Sequence, residues 1–407
     1  MSNNAFILLT IGVYGGAEKR FIKLFEYLSN IYPDRYTFIV TWSLYNKIIE
    51  LFPIYPTKNL VPLGSKFLNS GRNKTASGFI QKKKEPGNHP GFVKQIYRFI
   101  KNYKIQKKYF LEIDQIRKEK NINCFIGIYS GIIPLYFFLM KKKREIGIVF
   151  CDMDSWFSDV LPKEKKYWYR KYSSFNYALE NSDHIDFLSP FIREGVKERG
   201  IKIKDESVSI TPCSFTDYSK CKIGDKSIFQ VLFAGRLEKD KNPDLFLKAA
   251  IILSQKYPEI IFHIMGEGRI STDIQSQIIN SGLNNITFHG FHPEPTKLLA
   301  DSSVFVSIQT TNNYPSQSVL EAMGCGNAII ATDVGDTRMF VNEQNGILIS
   351  LDVWELTQAI EKLYLNKELR RQLGGFAYQY VRQNHTVGKV ADYYVDLFKL
   401  VSSKYSK

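Results

Sequence analysis

The chain has 407 residues, of which 44% are hydrophobic and 23% are charged. This length predicts two or three domains, and the apolar content is enough to bury a sizeable core. The five cysteines are odd in number and form no C-x-x-C pair, which argues against a disulfide scaffold and favours the reduced cytosol. The start, M-S-N-N-A-F-I-L-L-T, lacks the basic n-region of a signal peptide.

The positive charge lies almost entirely in the first half of the chain. Residues 1–217 hold 35 Lys and Arg against 21 Asp and Glu, a balance of +14, whereas residues 218–407 hold 20 against 19, a balance of +1. This asymmetry predicts an anionic partner for the first half, such as nucleic acid, an anionic membrane or a lipid pyrophosphate. Nucleic acid is disfavoured because the chain has no zinc-finger spacing and no RNP-like aromatic motif.

A glycine-rich turn follows the first predicted strand, residues 5–10. The sequence I-G-V-Y-G-G-A-E-K-R then leads into a helix with one apolar face. Glycines between a first strand and a first helix let a ligand approach the backbone, which makes Gly15 and Gly16 candidate binding residues. The alternative is an ordinary tight turn between strand and helix.

A basic segment begins after a predicted strand at 36–42 and a predicted helix at 47–52. Residues 72–108 contain eleven Lys and Arg and a single acid, Glu85. From residue 92 to Phe110, apolar and basic side chains alternate at helical spacing, which fits a helix on the surface of an anionic membrane. The same pattern fits a domain helix with a solvated basic face, and both interpretations stay open.

The uncharged residues 124–140 are followed by four basic residues at 141–144. A membrane span needs about 20 apolar residues, and glycines and a proline interrupt this segment. We therefore predict a buried strand at 124–128 and a helix from Ile132 in place of a span.

Two aspartates follow the next predicted strand, residues 146–150. Asp152 and Asp154 have a spacing that could hold a divalent metal. No further cluster of metal-ligand residues accompanies them, so no metal site is predicted. The following strand, at 182–189, contains His184, which we interpret as a core histidine.

The second half repeats the alternation of strands and helices. After a hinge predicted at residues 218–226, strands are expected at 229–234, 260–265, 286–289, 304–308 and 327–331. The fold class predicted for the chain is therefore α/β with two doubly wound parallel sheets, whose ligands bind at the carboxyl ends of strands. The predicted domains are residues 1–217 and 218–386, followed by a terminal helix at 387–407.

Two cations follow the first strand of the second half in G-R-L-E-K-D-K-N-P. Arg236 offers a planar fork and Lys241 a point charge, and together they suit a diphosphate. Gly235 precedes them at the strand end. Turns at Gly266 and Phe291 end the next two strands and would line the same ligand, although each also fits an ordinary turn.

A loop, a helix and a strand occupy residues 309–336. The first amides of the helix, at Ser316, Gln317 and Ser318, lack internal partners and can bind a phosphate or sugar oxygen. Glu321, about one and a half turns later, can accept hydrogen bonds from the two adjacent hydroxyls of a ribose. The alternative is an ordinary β-α-β unit with a solvated Glu321.

Three of these motifs together resemble family 4 retaining glycosyltransferases, which have the GT-B fold. They are G-G-A-E-K-R, G-R-L-E-K-D-K-N-P, and the run from Glu321 through E-A-M-G-C-G to T-D-V-G-D. The resemblance covers most of residues 3–400 and is strongest in 229–336. The chain departs from the family at Asn313, where the family has a glutamate that touches the transferred sugar. It also has C-S-F-T-D at 213–217, where the family has P-N-G-V-D near the cleft.

The resemblance implies two Rossmann-like domains that face each other across a cleft, with the last helix returning to the first domain. It implies a UDP- or GDP-linked sugar as co-substrate, with no cofactor and no metal. Asp152 and Asp154 then become acceptor-side or interdomain residues, and the histidine that the family often has near this strand end is absent. The candidate catalytic residues are Arg236, Lys241, Asn313 and Asp152. The candidate donor-binding residues are Gly15, Gly16, Gly235, Arg236, Lys241, Gly266, Phe291, Ser316, Gln317, Ser318 and Glu321.

We therefore predict a cytoplasmic, metal-independent hexosyltransferase that retains the anomeric configuration. Its expected partners are a nucleotide sugar, a lipid-linked saccharide acceptor and the anionic inner face of a membrane, and no nucleic acid. The alternatives are a non-catalytic sugar-nucleotide-binding subunit, which Asn313 supports, and an isomerase or phosphorylase of the same fold.

Overall fold

The computed structural model describes residues 3–10, 16–64, 92–141, 143–152, 174–198, 200–292 and 295–405, apart from the side chains of 92–99, 101–102 and 174–175. The chain forms two compact units. Unit 1 comprises Met1–Pro212 and Val390–Lys407, and unit 2 comprises Cys213–Lys389. The boundaries predicted from the sequence lie at 217/218 and 386/387.

Unit 1 contains a seven-stranded sheet, as far as the structure describes it. All its strands are parallel, in the order β3-β2-β1-β4-β5-β6-β7. The strands are β1 (Asn3–Leu8), β2 (Tyr36–Thr41), β3 (Leu60–Leu63), β4 (Ile122–Ile128), β5 (Gly147–Asp152), β6 (His184–Phe187) and β7 (Val208–Ile210). The helices are α1 (Gly16–Ile31), α2 (Trp42–Leu51), α3 (Phe92–Glu119), α4 (Tyr136–Leu139), α5 (Ser174–Asn181) and α6 (Pro190–Lys197).

The central strands of unit 1 are apolar on both faces because helices cover a parallel sheet on both sides. Every residue of β2 and of β5 is buried. Helix α1 buries Phe21, Leu24, Phe25 and Leu28, as its periodicity predicts. Strand β3 was not expected because Leu60–Leu63 is short and contains Pro62, which an edge strand tolerates.

Unit 2 contains a six-stranded parallel sheet in its described residues, in the order β10-β9-β8-β11-β12-β13. The strands are β8 (Gln230–Ala234), β9 (Ile261–Met265), β10 (Ile286–Gly290), β11 (Val304–Ser307), β12 (Ala328–Thr332) and β13 (Gly346–Ile349). The helices are α7 (Pro243–Lys256), α8 (Ser271–Ser281), α9 (Thr296–Asp301), α10 (Gln317–Gly324), α11 (Val353–Leu365) and α12 (Lys367–Asn384). The last helix, α13 (Val387–Ser402), begins at the end of unit 2 and belongs to unit 1 from Val390 onward.

The uncharged segment 124–140 is built into unit 1. Its first part is strand β4, as predicted, whereas the helix expected from Ile132 is a 3₁₀ turn (Tyr129–Ile132) followed by the single turn of α4. No helix within the described ranges has the length and apolarity needed to cross a bilayer.

A buried carboxylate joins the last helix to the sheet of unit 1. Asp186 on β6 accepts hydrogen bonds from the hydroxyls of Tyr393 and Tyr394 on α13 and from Thr211. Burial raises the pKa of the Asp186 carboxyl, and the surrounding donors oppose that rise. His184, on the same strand, is 5% exposed and contacts the Ser209 hydroxyl, as expected of a core histidine.

Candidate functional site

The strand order of unit 2 reverses between β8 and β11. The chain builds outward on one side through β9 and β10, and on the other through β11, β12 and β13. In an open parallel sheet, the carboxyl ends of the two strands at such a reversal leave a crevice in which ligands bind. Arg236 and Lys241 follow β8, and Gln309–Asn313 follow β11, so both segments lie at this crevice.

The two cations differ in their environments. Arg236 is exposed, whereas Lys241 is partly buried at the end of a 3₁₀ turn, Lys239–Lys241. Burial lowers the pKa of the Lys241 ammonium to about 8; the Asp240 carboxylate raises it and the positive charge of Arg236 lowers it. Lys241 is therefore charged near neutral pH, but it holds its proton less tightly than a solvated lysine. The negative charge of a diphosphate beside Lys241 would stabilise its charged form.

The turn that carries Lys241 is fastened to the loop after β11. Asn242 takes the left-handed conformation, with φ 50°, and its side-chain amide donates to Thr310 Oγ1 at 3.2 Å. The Thr310 N–H donates to the Asp240 carbonyl at 3.1 Å. These bonds bridge the crevice between β8 and β11 and hold its two sides together.

A side-chain network crosses the same crevice. Lys241 Nζ donates to Gln309 Oε1, and Gln309 Nε2 donates to Asn313 Oδ1. Asn313 Nδ2 then donates to Ser307 Oγ at 3.1 Å. Asn313 is 4% exposed, and its side-chain amide makes these hydrogen bonds within unit 2. Gln309 belongs to no sequence motif, because a lone glutamine in a loop carries no spacing signal.

Helix α10 begins at the crevice as expected. The Ser316 hydroxyl caps the helix by accepting from the Val319 N–H at 3.4 Å, and it lies 3.1 Å from the Ser318 hydroxyl. Gln317 Nε2 donates to the Phe215 carbonyl at 3.0 Å. This hydrogen bond joins the Gln317 side chain to the first residues of unit 2.

Glu321 is half-buried, and the Thr216 hydroxyl donates to its Oε1 at 3.2 Å. One carboxylate oxygen thus has a partner within unit 2, and a carboxylate has lone pairs enough for further donors. Thr216 lies in C-S-F-T-D, the segment that departs from the resembled family, and no sequence pattern points to its contact with Glu321.

Two glycines allow the ends of β8 and β9 to approach each other. Gly266 has φ +134°, and a Cβ there would lie 1.8 Å from the Gly235 carbonyl oxygen. Only glycine fits that position. Beyond β10, Phe291 is 71% exposed, so its ring is available to stack on a planar group.

The remaining predicted site residues belong to unit 1. Asp152 ends β5 and is 1% exposed, and its carbonyl accepts from the Leu188 N–H at 2.9 Å. Gly16 begins α1 and is exposed, whereas Gly15 and Asp154 lie outside the described residues. In the part of the chain that is described, no three His, Cys, Asp or Glu side chains cluster as metal ligands would.

The described part of the basic helix α3 packs within unit 1. The Phe110 ring packs against Phe137 in a tilted arrangement and against Phe138 edge to face, with ring centroids 5.3 and 4.6 Å apart. Lys141 Nζ lies 5.1 Å from the centroid of the Phe110 ring, and Arg144 pairs with Asp183 at 2.8 Å. The aromatic side of this helix is thus partly used in the fold, while Lys104, Lys107 and Lys108 are exposed.

Comparison with known sequences gives a family match for residues 228–366, to glycosyl transferases group 1. The chain is 30% identical over 158 residues to the D-inositol 3-phosphate glycosyltransferase of Paenarthrobacter aurescens, across 37% of this chain and 38% of that protein. It is 27% identical over 301 residues to the poly(ribitol-phosphate) α-N-acetylglucosaminyltransferase of Staphylococcus aureus, across 71% of this chain and 57% of that protein. The chain therefore covers less than two thirds of either relative.

Two solved structures are similar over nearly the whole chain. The Anabaena HepE protein in complex with UDP and glucose gives a TM-score of 0.68 at 16% identity, covering 98% of this chain and 100% of that one. Sucrose-phosphate synthase from Thermosynechococcus elongatus gives a TM-score of 0.68 at 14% identity, covering 99% and 100%. At these identities the similarity concerns the fold.

Proposed function

We propose that this chain, which has the GT-B fold and whose residues 228–366 match the glycosyl transferases group 1 family, transfers a sugar from a nucleotide-sugar donor to an acceptor hydroxyl. The observation that carries this proposal is the arrangement of cations at the strand reversal of unit 2. Arg236, Lys241 and the capped start of α10 supply positive charge and free donors at one crevice, as a diphosphate requires.

The remaining groups fit the rest of such a donor. The Glu321 carboxylate, held by Thr216, would accept hydrogen bonds from the two ribose hydroxyls. The exposed ring of Phe291 would lie near the base. The HepE structure holds UDP, which makes a UDP-linked sugar the first donor to test.

In the reaction the bond between the anomeric carbon and the donor phosphate oxygen breaks, and a bond to the acceptor oxygen forms. Negative charge grows on the leaving diphosphate, and Arg236 and Lys241 would stabilise it. Stabilisation of developing charge by fixed groups is often the largest catalytic contribution. The proton of the acceptor hydroxyl would pass to the leaving phosphate, with retention at the anomeric carbon.

The same two cations account for a reaction that needs no divalent metal. Transfer should survive EDTA, because Arg236, Lys241 and the helix amides supply the charge that a metal would otherwise bring. Loss of transfer in EDTA, with recovery on adding Mn²⁺ or Mg²⁺, would make Asp152 and Asp154 candidate metal ligands.

The proposed acceptor is a lipid-linked saccharide at the inner face of a membrane. Its support is the balance of +14 in residues 1–217, which the donor does not require since its candidate residues are mostly in residues 218–407. The Staphylococcus aureus relative is named for a poly(ribitol-phosphate) acceptor, which is also anionic. A soluble anionic polymer is therefore the alternative acceptor class to test.

Turnover of the donor is tested with UDP-, GDP- and ADP-linked sugars, by measuring release of the nucleoside diphosphate and the anomeric configuration of the product. Turnover with retention supports the proposal. Tight binding of a nucleotide sugar with no turnover on any acceptor would favour a non-catalytic binding subunit, the role that Asn313 in place of the family's glutamate suggests.

Membrane docking is tested by sedimentation with vesicles that contain or lack phosphatidylglycerol. Each Lys or Arg near an anionic leaflet contributes about 1 kcal/mol and is screened by salt. Replacement of Lys94, Arg98, Lys101 and Lys104 by Gln should release the protein, whereas the same change at exposed Lys222, Lys248, Lys362 and Lys367 of unit 2 should not. Equal binding of both variants would exclude docking through α3.

A further inference from the structure

Gln309 lies between the cation and the amide of the candidate site. It is 7% exposed and directly contacts Lys241 on one side and Asn313 on the other. Its backbone is fixed as well, because its N–H donates to Thr332 Oγ1 at 2.9 Å and its carbonyl accepts from the same hydroxyl at 3.0 Å. Thr332 is fully buried at the end of β12, so Gln309 is anchored to a rigid strand.

The direction of the network follows from the chemistry of its first member. A lysine ammonium has three donors and no acceptor, so the carbonyl oxygen of the Gln309 amide must face it. The amide nitrogen then faces Asn313, which must present its own oxygen in return. Asn313 Nδ2 is left for the Ser307 hydroxyl. The orientation of each amide is thus set by the charge on Lys241.

We propose that Gln309 is a positioning residue that couples Lys241 to Asn313. It holds the cation proposed for the diphosphate, and the amide at the position of the family's sugar-contacting glutamate, in one fixed arrangement. This inference rests on the proposed function for the roles of the two ends. One of the three Nζ donors of Lys241 is directed to Gln309, and the others remain for phosphate oxygens. Gln309 itself need not touch the donor.

The charged groups that act on Lys241 are Asp240, on its own turn, and Arg236, after β8. Gln309 contributes no charge, but its oxygen accepts from the ammonium. Loss of that oxygen should therefore lower the pKa of Lys241, and a carboxylate in its place should raise it.

The first test observes Lys241 in the free protein, without any nucleotide. Carbon-13 NMR of labelled lysines gives its titration midpoint, and the signal is assigned by its absence in Lys241→Arg. Gln309→Glu should raise the midpoint by roughly one unit or more, and Gln309→Leu should lower it. Thr311→Ala, an exposed neighbour in the same loop, should leave it unchanged. A midpoint that is the same in all variants would overturn the inference.

The second test is a double-mutant cycle on UDP binding by calorimetry at pH 7. Gln309→Leu should weaken binding roughly 10- to 100-fold, the size of one lost hydrogen bond to a charged group. Asn313→Ala should add little in the Gln309→Leu background, because the coupling has already been removed. Full additivity of the two changes would show that Gln309 and Asn313 act independently.

The two tests separate this inference from the proposed function. If wild-type protein bound neither UDP nor GDP, the donor proposal would fail, while the lysine titration would still decide whether Gln309 positions Lys241. If UDP bound normally to Gln309→Leu, the positioning role would fail and the donor site would stand.

Discussion

The Thr216 hydroxyl donates a 3.2 Å hydrogen bond to Oε1 of Glu321. Both residues belong to unit 2, although they are 105 positions apart in sequence. A second bond, from Gln317 Nε2 to the Phe215 carbonyl at 3.0 Å, fastens the same segment to the first turn of α10. The carboxylate proposed to bind the ribose is therefore held in place before any ligand arrives.

Replacement of Glu321 by Gln should remove the preference for a ribose diol. Wild-type protein should bind UDP about 10- to 100-fold more tightly than 2′,3′-dideoxy-UDP, as expected of hydrogen bonds to a charged acceptor. Glu321→Gln should bind the two ligands nearly equally by calorimetry. Thr216→Val leaves the charge of Glu321 in place, so this variant should retain most of the preference for UDP over 2′,3′-dideoxy-UDP. An unchanged preference in Glu321→Gln would place the ribose elsewhere.

The value of kcat/KM for the donor should fall at alkaline pH, because Lys241 loses its proton there. Its pKa of about 8 means that the cation is present below that pH and is lost as the pH rises through it. The pH profile of kcat/KM for the donor reports the free enzyme, so an alkaline limb near pH 8 is expected. Lys241→Arg should move that limb beyond the measurable range. The same limb in both proteins would assign it to another group.

Alanine substitutions at Gly266 and Gly375 form a matched pair. Gly266→Ala would place a Cβ 1.8 Å from the Gly235 oxygen, so it should destabilise unit 2 and weaken UDP binding. Gly375 lies in helix α12, and among the described residues an added Cβ would meet no atom within 4 Å beyond the adjacent backbone of that helix. Gly375→Ala should therefore stabilise the protein by up to about 1 kcal/mol. Both are measured as urea midpoints, and equal effects would contradict the close approach of Gly266 and Gly235.

Acid should destabilise unit 2 by protonating His385. This histidine is 2% exposed and donates from Nδ1 to the Ser214 carbonyl at 2.9 Å. Burial lowers its pKa to about 4 from an ordinary value of 6.5. The unfolded chain thus takes up the proton first, and stability present above pH 6.5 is lost as the pH falls towards 4. His385→Asn, which keeps the donor to Ser214, should lose less urea resistance between pH 7.5 and 5. An equal loss in both would exclude this histidine.

Much of the fold could be predicted from sequence because the strands of a parallel sheet are continuous apolar runs between helices with one apolar face. β8, β9, β11 and β12 match their predicted positions within a residue or two, and Ser316 caps α10 as its residue type suggests. Strand β13 was missed because Gly346–Ile349 is short and half-buried at the sheet edge, where periodicity is weak.

The motif residues of the site were predicted from spacing, but the residues that hold them were not. Arg236, Lys241 and Glu321 stand in recognisable strings. Gln309 accepts from Lys241 and Thr216 donates to Glu321, and only the folded chain creates these two contacts. No local pattern announces such contacts, because their partners are 68 and 105 positions away.

The most direct test of the donor site is the turnover of a nucleotide sugar by Arg236→Ala and Lys241→Ala, with Lys248→Ala as the control. Lys248 is an exposed cation of the same unit, on α7. The diphosphate role predicts a loss of about 10²–10³ in kcat for each site variant, with the melting temperature retained. It predicts unchanged turnover for Lys248→Ala. Near-wild-type turnover in both Arg236→Ala and Lys241→Ala would contradict a donor diphosphate at this crevice.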